Sequence, residues 1–149
     1  MKRIKSLIID TNLLLLLVIG GIEGGRHIGN SSRLKKYSLD DFDKILDVME
    51  KADDVFITPY IATEVSNLID LNGYILDEAM RIASTFFNTF SQISGEVSRD
   101  SQGLFVRYGI TDNSLIQLVN DYTILTDDLR LANELFTIKY DHVLLLEHL

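Results

Sequence analysis

The stretch that decides the fold is LIIDTNLLLLLVIGG, residues 7–21, in which an aspartate interrupts a strongly apolar run. Residues 5–10 (KSLIID) predict a short buried strand, since a brief apolar run is typical of strands in parallel sheets. The leucine-rich residues that follow predict a buried helix, because leucine favours helix and β-branched residues are sparse there. Asp10 therefore falls at the carboxyl end of the first strand.

The apolar run is too short to cross a membrane. Leu13–Ile19 has seven residues before Gly20 and Gly21 break it, whereas a spanning helix needs about 20. A secretory signal is the alternative, because two lysines and an arginine precede the run. Asp10 and Asn12 inside the run, together with the lack of a small-residue cleavage site, disfavour a signal. We expect a cytoplasmic protein with no membrane partner.

The composition predicts a single globular domain over residues 1–149. Hydrophobic residues make up 46% of the chain and charged residues 24%, which is ordinary for a globular protein. The absence of cysteine excludes disulfides and thiolate metal sites. A formal net charge of −8 disfavours bulk attraction to polyanions, so nucleic-acid binding requires a local basic patch or bound cations.

The rest of the chain alternates between short strands and helices, with one long loop at 20–38 and a loop or short turn at 94–103. Further strands are predicted at 55–58, 122–126 and 142–146, and helices at 39–53, 59–71, 74–93, 112–120 and 129–136. Helix starts are indicated by Ser38 with Asp41, by Thr58-Pro59, and by Thr111. This alternation predicts an α/β fold. We expect a three-layer sandwich with a short, mostly parallel sheet of four to five strands flanked by helices.

Acidic residues follow two strands of the predicted sheet. Asp10 ends the first strand, and Asp127 and Asp128 follow the third. Ligands of open parallel sheets bind outside the carboxyl ends of the strands. We therefore expect these acids to lie at one functional edge.

Two predicted helices each add one acid to this functional edge of the sheet. Glu64 lies three residues after Ile61 and four before Leu68, so it shares the inward face of its helix. Asp112 stands at the start of its helix, where the helix dipole favours a negative charge. Structural roles explain each acid taken alone: Asp112 as a helix cap, Asp128 as a helix start and Glu64 as a partly exposed surface acid.

Gathering these carboxylates without a cation is unfavourable, because burial and like-charge repulsion both oppose ionisation. Oxygen ligands without cysteine or a neighbouring histidine favour Mg²⁺ or Mn²⁺ over zinc. The sequence therefore predicts a magnesium or manganese site. Its predicted ligands are Asp10, Glu64, Asp112 and Asp128, with Asp127 as a further candidate.

In their order and spacing, these motifs resemble those of the PIN domain family, the nuclease fold of VapC-type toxins and RNA-processing nucleases. The matching segments are Asp10-Thr11-Asn12, TPYIATEVSNLI with Glu64, GITDNSLIQLV with Asp112, and ILTDDLRLA with Thr126 and Asp128. The resemblance covers essentially the whole chain. The loop at 20–38 is longer than in many small toxins, and residues 73–103 match no particular subfamily.

The resemblance implies a metal-dependent endoribonuclease, a hydrolase acting on RNA phosphodiester bonds. The residues that map onto the family's catalytic and metal-binding acids are Asp10, Glu64, Asp112 and Asp128. Asn12 and Thr126 are expected to support the metal ligands through hydrogen bonds. Family members often dimerise, and toxin members are held by an antitoxin that covers the active site. A homodimer and an antitoxin partner are therefore implied.

Basic and aromatic side chains are the candidates for contact with RNA. The phosphate-binding candidates are Arg26, Arg33, Lys35 and Lys36, followed by Arg99 and Arg107. Keeping the loop solvated is the alternative role of these charges. The candidates for stacking on single-stranded bases are Tyr37, Tyr60 and Tyr108, with ordinary packing as the alternative.

Other classes fit the motifs less well. A haloacid-type phosphatase needs a second acid two residues after the first, where this chain has Asn12. A receiver domain needs paired acids near the first strand, and residues 1–9 contain none. The alternative function is a catalytically silent PIN-like scaffold that binds a protein or RNA partner. The 74–93 helix, with Phe86, Phe87 and Phe90, is a candidate for either a dimer interface or the core.

Overall fold

The computed structural model describes residues 2–149, in which five strands form one parallel sheet. The strands are β1 (Ile4–Ile9), β2 (Ala52–Ile57), β3 (Ser91–Gln92), β4 (Thr123–Thr126) and β5 (Val143–Leu145). Their order is β3-β2-β1-β4-β5, and every neighbouring pair is parallel. The predicted α/β class is confirmed, and the sheet has the larger of the two expected strand numbers.

Seven helices within residues 2–149 flank the sheet. They are α1 (Thr11–Gly20), α2 (Leu39–Glu50), α3 (Pro59–Leu68), α4 (Gly73–Thr89), α5 (Val97–Asp100), α6 (Phe105–Leu118) and α7 (Leu129–Lys139). Starting from the central strand β1, the chain crosses the sheet towards one edge through β2 to β3. From β4 to β5 it crosses towards the opposite edge. Because crossovers between parallel strands are right-handed, connections running in opposite directions cover opposite faces. This arrangement gives the predicted three-layer sandwich.

The helix α1 explains the leucine run. Each residue of Leu13–Ile19 is at most 2% exposed, and α1 packs against α2, α3 and α4. A helix that is apolar on all sides is stable only when it is covered on all sides. Its side chains belong to one hydrophobic core shared by the sheet and the helices. Across residues 2–149, no helix has the length and apolar character needed to cross a membrane.

The structure corrects several predicted boundaries. The helix expected over 74–93 ends at Thr89, and Ser91–Gln92 form the edge strand β3, which is too short to show a sequence period. Helix α6 begins at Phe105 instead of 112 and is interrupted at Gly109, whose φ of 79° suits glycine. Thr111 therefore lies inside α6 and does not cap it. By contrast, the predicted capping box at the start of α2 is present.

Candidate functional site

The candidate site lies beyond the carboxyl ends of β1 and β4. Chain connections leave these neighbouring strands in opposite directions, which opens a crevice at their ends. Ile9 pairs with Leu125, so Asp10 and Thr126 follow at the same level. A pocket of about 180 Å³ opens there. Its lining residues are Asp10, Thr11, Asn12, Arg33, Glu64, Asp112, Asp127 and Asp128.

Asp10 is buried in the pocket wall and only 8% exposed. Its Oδ1 accepts the backbone N–H of Thr11 at 2.8 Å, and its Oδ2 accepts the hydroxyl of Thr126 at 2.7 Å. Burial raises the pKa of Asp10 despite these hydrogen bonds, and together with the nearby charges of Asp127 and Asp128 it brings the pKa to about 6. The carboxylate is thus held in one orientation, but its charge is not compensated.

Glu64 on α3 and Asp112 on α6 approach the pocket from two helices. The hydroxyl of Thr111 donates to Glu64 Oε2, which joins α6 to α3. Burial raises the pKa of Asp112 to about 7, and repulsion from Asp10, Asp128 and Glu64 contributes to the rise. This mutual repulsion arises because carboxylates from four separate elements surround one pocket.

The two acids that follow β4 have different surroundings. Asp128 is exposed, and its Oδ1 accepts the backbone N–H of Leu131 at 3.1 Å, which caps α7. Asp127 Oδ2 accepts the hydroxyl of Tyr37 and lies 3.4 Å from Lys36 Nζ. Burial raises the pKa of Tyr37, and its hydrogen bond to Asp127 raises it further. Asp127 is therefore held by residues of the segment that joins α1 to α2 (residues 21–38, the 21–38 segment). Asp128 is the more accessible of the two acids.

The donor atoms around the pocket are chiefly oxygens. In the part of the chain from residue 2 to 149, no three histidine, cysteine, aspartate or glutamate side chains are grouped closely enough to hold one metal ion. Mg²⁺ commonly binds one or two carboxylates and keeps several waters. The buried hydroxyl of Thr11, a residue that is 7% exposed, has no hydrogen-bond partner within residues 2–149. Carboxylate oxygens beside an unsatisfied hydroxyl fit a hydrated hard cation.

Arg33 is the predicted phosphate-binding residue that lines this pocket. Its Nε donates to Asn12 Oδ1 at 3.3 Å. Burial raises the pKa of Glu64, and the charge of Arg33 opposes that rise. Asn12, predicted to support a metal ligand, therefore holds an arginine at the pocket rim.

The other predicted basic residues have different environments. Arg26 pairs with Glu23 at 3.2 Å, and Lys36 lies beside Asp127 as described above. Lys35 is exposed, and neither it nor Arg26 is among the residues that line the acidic pocket. The structure therefore does not bring the four basic residues of this segment together.

A buried network contains two more of the predicted RNA contacts. Asp100 is 0% exposed and accepts the Tyr60 hydroxyl at 2.7 Å and Arg99 Nε at 3.0 Å. The backbone N–H of Glu96 also donates to Asp100, at 3.2 Å, and Asn113 Nδ2 donates to the Asp100 carbonyl at 2.7 Å. These contacts join α5 to α3 and α6. Tyr60 and Arg99 thus have structural roles in this fold.

Two phenylalanines of α4 and Phe90, which follows the helix, pack against the hydrophobic core. Phe86 and Phe90 stack with ring centroids 5.3 Å apart, and Phe90 is 8% exposed. Phe86 and Phe87 are partly buried against the core. The sequence left two roles open for these rings, a dimer interface or the core, and the structure favours packing in the core.

Arg130, two residues after Asp128 on α7, makes contacts that the sequence did not indicate. Its guanidinium lies 4.6 Å from the centre of the Tyr108 ring, and its Nη2 donates to the Arg107 carbonyl at 3.0 Å. Burial is the main cause of the raised pKa of Asp112, and the charge of Arg130 opposes it. The position of Arg130 two residues after Asp128 was the only indication in the sequence that it could lie near the acids. Its contacts with Arg107 and Tyr108 join it to a distant part of the sequence.

Neither a protein-family model nor a curated protein matches this chain. The chemistry of the pocket is therefore inferred from its own residues.

Proposed function

We propose that this protein is a PIN-type, metal-dependent endoribonuclease that hydrolyses RNA phosphodiester bonds at the pocket beyond β1 and β4. One observation carries the proposal: acids from four separate elements line a single pocket, and among residues 2–149 none of the four forms an ion pair with a basic side chain. These acids are Asp10, Glu64, Asp112 and Asp128. Strongly perturbed carboxylates in a cleft are typical of functional sites.

In this proposal, Asp10 is the central ligand of Mg²⁺ or Mn²⁺, the cation keeps several waters, and Glu64, Asp112 and Asp128 complete or orient the ligand set. When bound, the cation neutralises charge on the phosphodiester and activates water for attack. Thr126 keeps the Asp10 carboxylate in one orientation through its hydrogen bond. Because such supporting bonds limit rotation of the ligands, the acids stay in position when the substrate enters.

RNA cleavage by purified protein tests the proposal. We expect metal-dependent cleavage of a generic single-stranded RNA that EDTA abolishes. Asp10→Asn is expected to lower kcat/KM by about 100-fold or more, because it removes a charge placed at the reacting groups. Asp77→Asn is the matched control, since Asp77 is exposed on α4 and does not line the pocket. Its kcat/KM is expected to equal that of the wild type.

The alternative function gives a different result in the same assay. A catalytically silent scaffold that binds a protein or RNA partner predicts equal signals from wild type and Asp10→Asn, with no metal bound to either. Isothermal titration with Mn²⁺ measures the metal binding directly. Equal signals in both measurements contradict the nuclease proposal.

The resemblance to PIN nucleases also supports two partner proposals. The first is a homodimer, which a solution mass measurement tests. The second is an antitoxin that covers the acidic pocket. An antitoxin encoded beside this protein is expected to inhibit RNA cleavage when it is added in equal amount, and unchanged cleavage contradicts its assignment.

A further inference from the structure

A second cavity lies at the same edge of the sheet, beyond the carboxyl ends of β4 and β5. Thr126 pairs with Leu145, so Asp127 and Leu146 continue from the two strands at the same level. Both of these residues line the second cavity. Its volume is about 340 Å³, which falls in the range of sites for small molecules. Ligands of open parallel sheets bind at this edge.

Asp127 connects the second cavity to the acidic pocket, because it lines both. Its Oδ2 accepts the hydroxyl of Tyr37 and lies 3.4 Å from Lys36 Nζ, and these two residues also line the second cavity. The wall between the two sites is therefore a side chain that is held in place. A chain molecule whose phosphodiester enters the acidic pocket can place a neighbouring group in the second cavity, on the other side of Asp127.

The charges of the second cavity disfavour a phosphate there. Two lysines and three acids line it, so negative charge exceeds positive charge. These charged residues are Lys36, Lys44, Asp41, Asp127 and Glu147. Tyr37 and Leu146, which are 8% and 6% exposed, add apolar surface. An uncharged, flat group with hydrogen-bonding edges fits this lining, and a nucleobase is such a group.

Glu147 is the acid of the second cavity that is most available to a ligand. Asp127 is held as described above, and Asp41 Oδ2 accepts the backbone N–H of Ser38 at 2.9 Å within the capping box of α2. Glu147 is exposed, and its ion-pair partner, His148 Nε2, lies 4.0 Å away, beyond hydrogen-bond distance. The carboxylate of Glu147 can therefore accept two hydrogen bonds from a ligand.

Among the four RNA bases, guanine matches a carboxylate beside an ammonium group. Its Watson–Crick edge carries two adjacent N–H donors, at N1 and N2, which fit the two oxygens of one carboxylate. The neighbouring O6 accepts a hydrogen bond, and lysine is a common donor to it. Adenine, cytosine and uracil have no such pair of adjacent donors. Proteins that recognise single-stranded RNA commonly bind bases through this edge.

We propose that the second cavity binds the base of a nucleotide beside the scissile phosphodiester and prefers guanine there. This inference rests on the proposed nuclease function. Glu147 accepts the hydrogens on N1 and N2, and Lys36 donates to O6. Lys36 is placed for this role by Asp127 and by the ring of Tyr37, whose centre lies 5.1 Å from Nζ. The protein is therefore expected to cleave RNA at a fixed distance from a guanosine.

Binding of short RNAs tests the base preference without requiring cleavage. The parent protein is Asp10→Asn in Mg²⁺, and the probes are fluorescent uridine octamers, either unsubstituted or with one central guanosine, adenosine or cytidine. We expect the guanosine probe to bind about 10-fold more tightly than the others, as one bidentate base contact can provide. Inosine, which lacks the N2 amino group, should lose most of this advantage. 7-Deazaguanosine, which has an unaltered Watson–Crick edge, should keep it.

Glu147→Gln in the same parent is expected to bind the guanosine probe and the all-uridine probe alike, because glutamine has one acceptor oxygen in place of two. Glu50→Gln is the matched control, since Glu50 is an exposed acid at the end of α2 that lines neither cavity. Its preference is expected to equal that of the parent. Circular dichroism establishes that each variant is folded, and Asp112→Asn serves as the parent if Asp10→Asn does not fold.

Several outcomes overturn the base preference: equal binding of all four probes by the parent, a preference for another base, or a guanosine preference that persists in Glu147→Gln. Failure of the nuclease proposal gives a different pattern. If Glu147→Gln removes a guanosine preference and the wild type cleaves no probe, the base site stands and the nuclease does not. If the wild type cleaves the probes without regard to guanosine, the nuclease stands and the base site does not.

Discussion

Two buried carboxylates of this protein have pKa values that are shifted in opposite directions. At Asp100, burial alone would raise the pKa, but hydrogen bonds from Arg99, Tyr60 and Glu96 outweigh burial and lower it. At Asp10, burial dominates and the pKa rises to about 6, although two hydrogen bonds stabilise the charge. The difference lies in the partners, because Asp100 has an arginine and Asp10 has other acids nearby.

This contrast separates a carboxylate that supports the fold from one that is available for chemistry. A buried charge with a complete set of partners joins elements together, and removing one partner is strongly destabilising. A group of acids without a cation lowers stability, which a protein tolerates where the charges have a use. The Asp100 network and the acidic pocket therefore respond differently to mutation, metal and pH.

The largest expected effect is the loss of stability in Asp100→Ala. The substitution leaves the Arg99 guanidinium, the Tyr60 hydroxyl and the Glu96 N–H without their buried acceptor, and we expect the free energy of unfolding to fall by about 3 kcal/mol. Urea denaturation measures the change. The lowered pKa of Asp100 means that its contribution is present above the ordinary value of 3.8 and is lost as the pH falls below it. A change as small as that of Asp77→Ala contradicts a structural role for the network.

Metal is expected to stabilise the pocket by a slightly smaller amount. Mg²⁺ at 100 times its dissociation constant should raise the free energy of unfolding by about 2.7 kcal/mol. The gain should be larger at pH 8 than at pH 5.5, because the carboxyls of Asp10 and Asp112 must ionise to bind it. Thermal unfolding with and without Mg²⁺ measures this effect. A gain that persists in Asp10→Asn shows that the ion binds elsewhere.

Without metal, Asp112→Asn is expected to stabilise the protein. The pKa of Asp112 is about 7 in the folded state, above the ordinary value of 3.8, so the native state binds more protons between these values. Wild-type stability should therefore fall as the pH rises from 3.8 to 7 and stay level above that. We expect Asp112→Asn to gain about 1–2 kcal/mol at pH 8, after allowing for solvent screening. Urea denaturation across this pH range tests it, and a loss of stability at pH 8 contradicts the repulsion.

The smallest expected effect is that of Tyr37→Phe, which removes the hydrogen bond to Asp127. We expect a loss of about 1 kcal/mol, the usual contribution of one such bond. Tyr140→Phe is the control, because Tyr140 is 72% exposed. If both variants have equal midpoints in urea, the bond does not hold the 21–38 segment against the sheet.

Most of the fold was predictable because it depends on local apolar patterns. The strands predicted at 5–10, 122–126 and 142–146 lie within one residue of their observed bounds, whereas β2 begins at Ala52, three residues before the predicted start. The edge strand at Ser91–Gln92 was not predictable, because two residues have no period. The start of α6 was missed because Gly109 interrupts its pattern.

Of the residues in the candidate site, the acids were the ones whose positions the sequence predicted. Strand ends and helix faces indicated where Asp10 and Glu64 point, because such directions follow from regular geometry. The stacking of Arg130 on Tyr108 and the bond between Tyr37 and Asp127 join residues that are distant in sequence. Side-chain contacts of this kind depend on how loops fold over the sheet. The local spacing of residues in the sequence does not indicate them.

The central place of β1 has a consequence for how the protein is made. Leu7 pairs with Thr123, so this strand has one side open on the ribosome until most of the chain has been synthesised. During that time the edge of β1 that will receive β4 is unpaired, and unpaired strand edges of this kind are bound by chaperones or aggregate. The yield of native protein is therefore expected to depend on how quickly residues 123–126 reach the sheet.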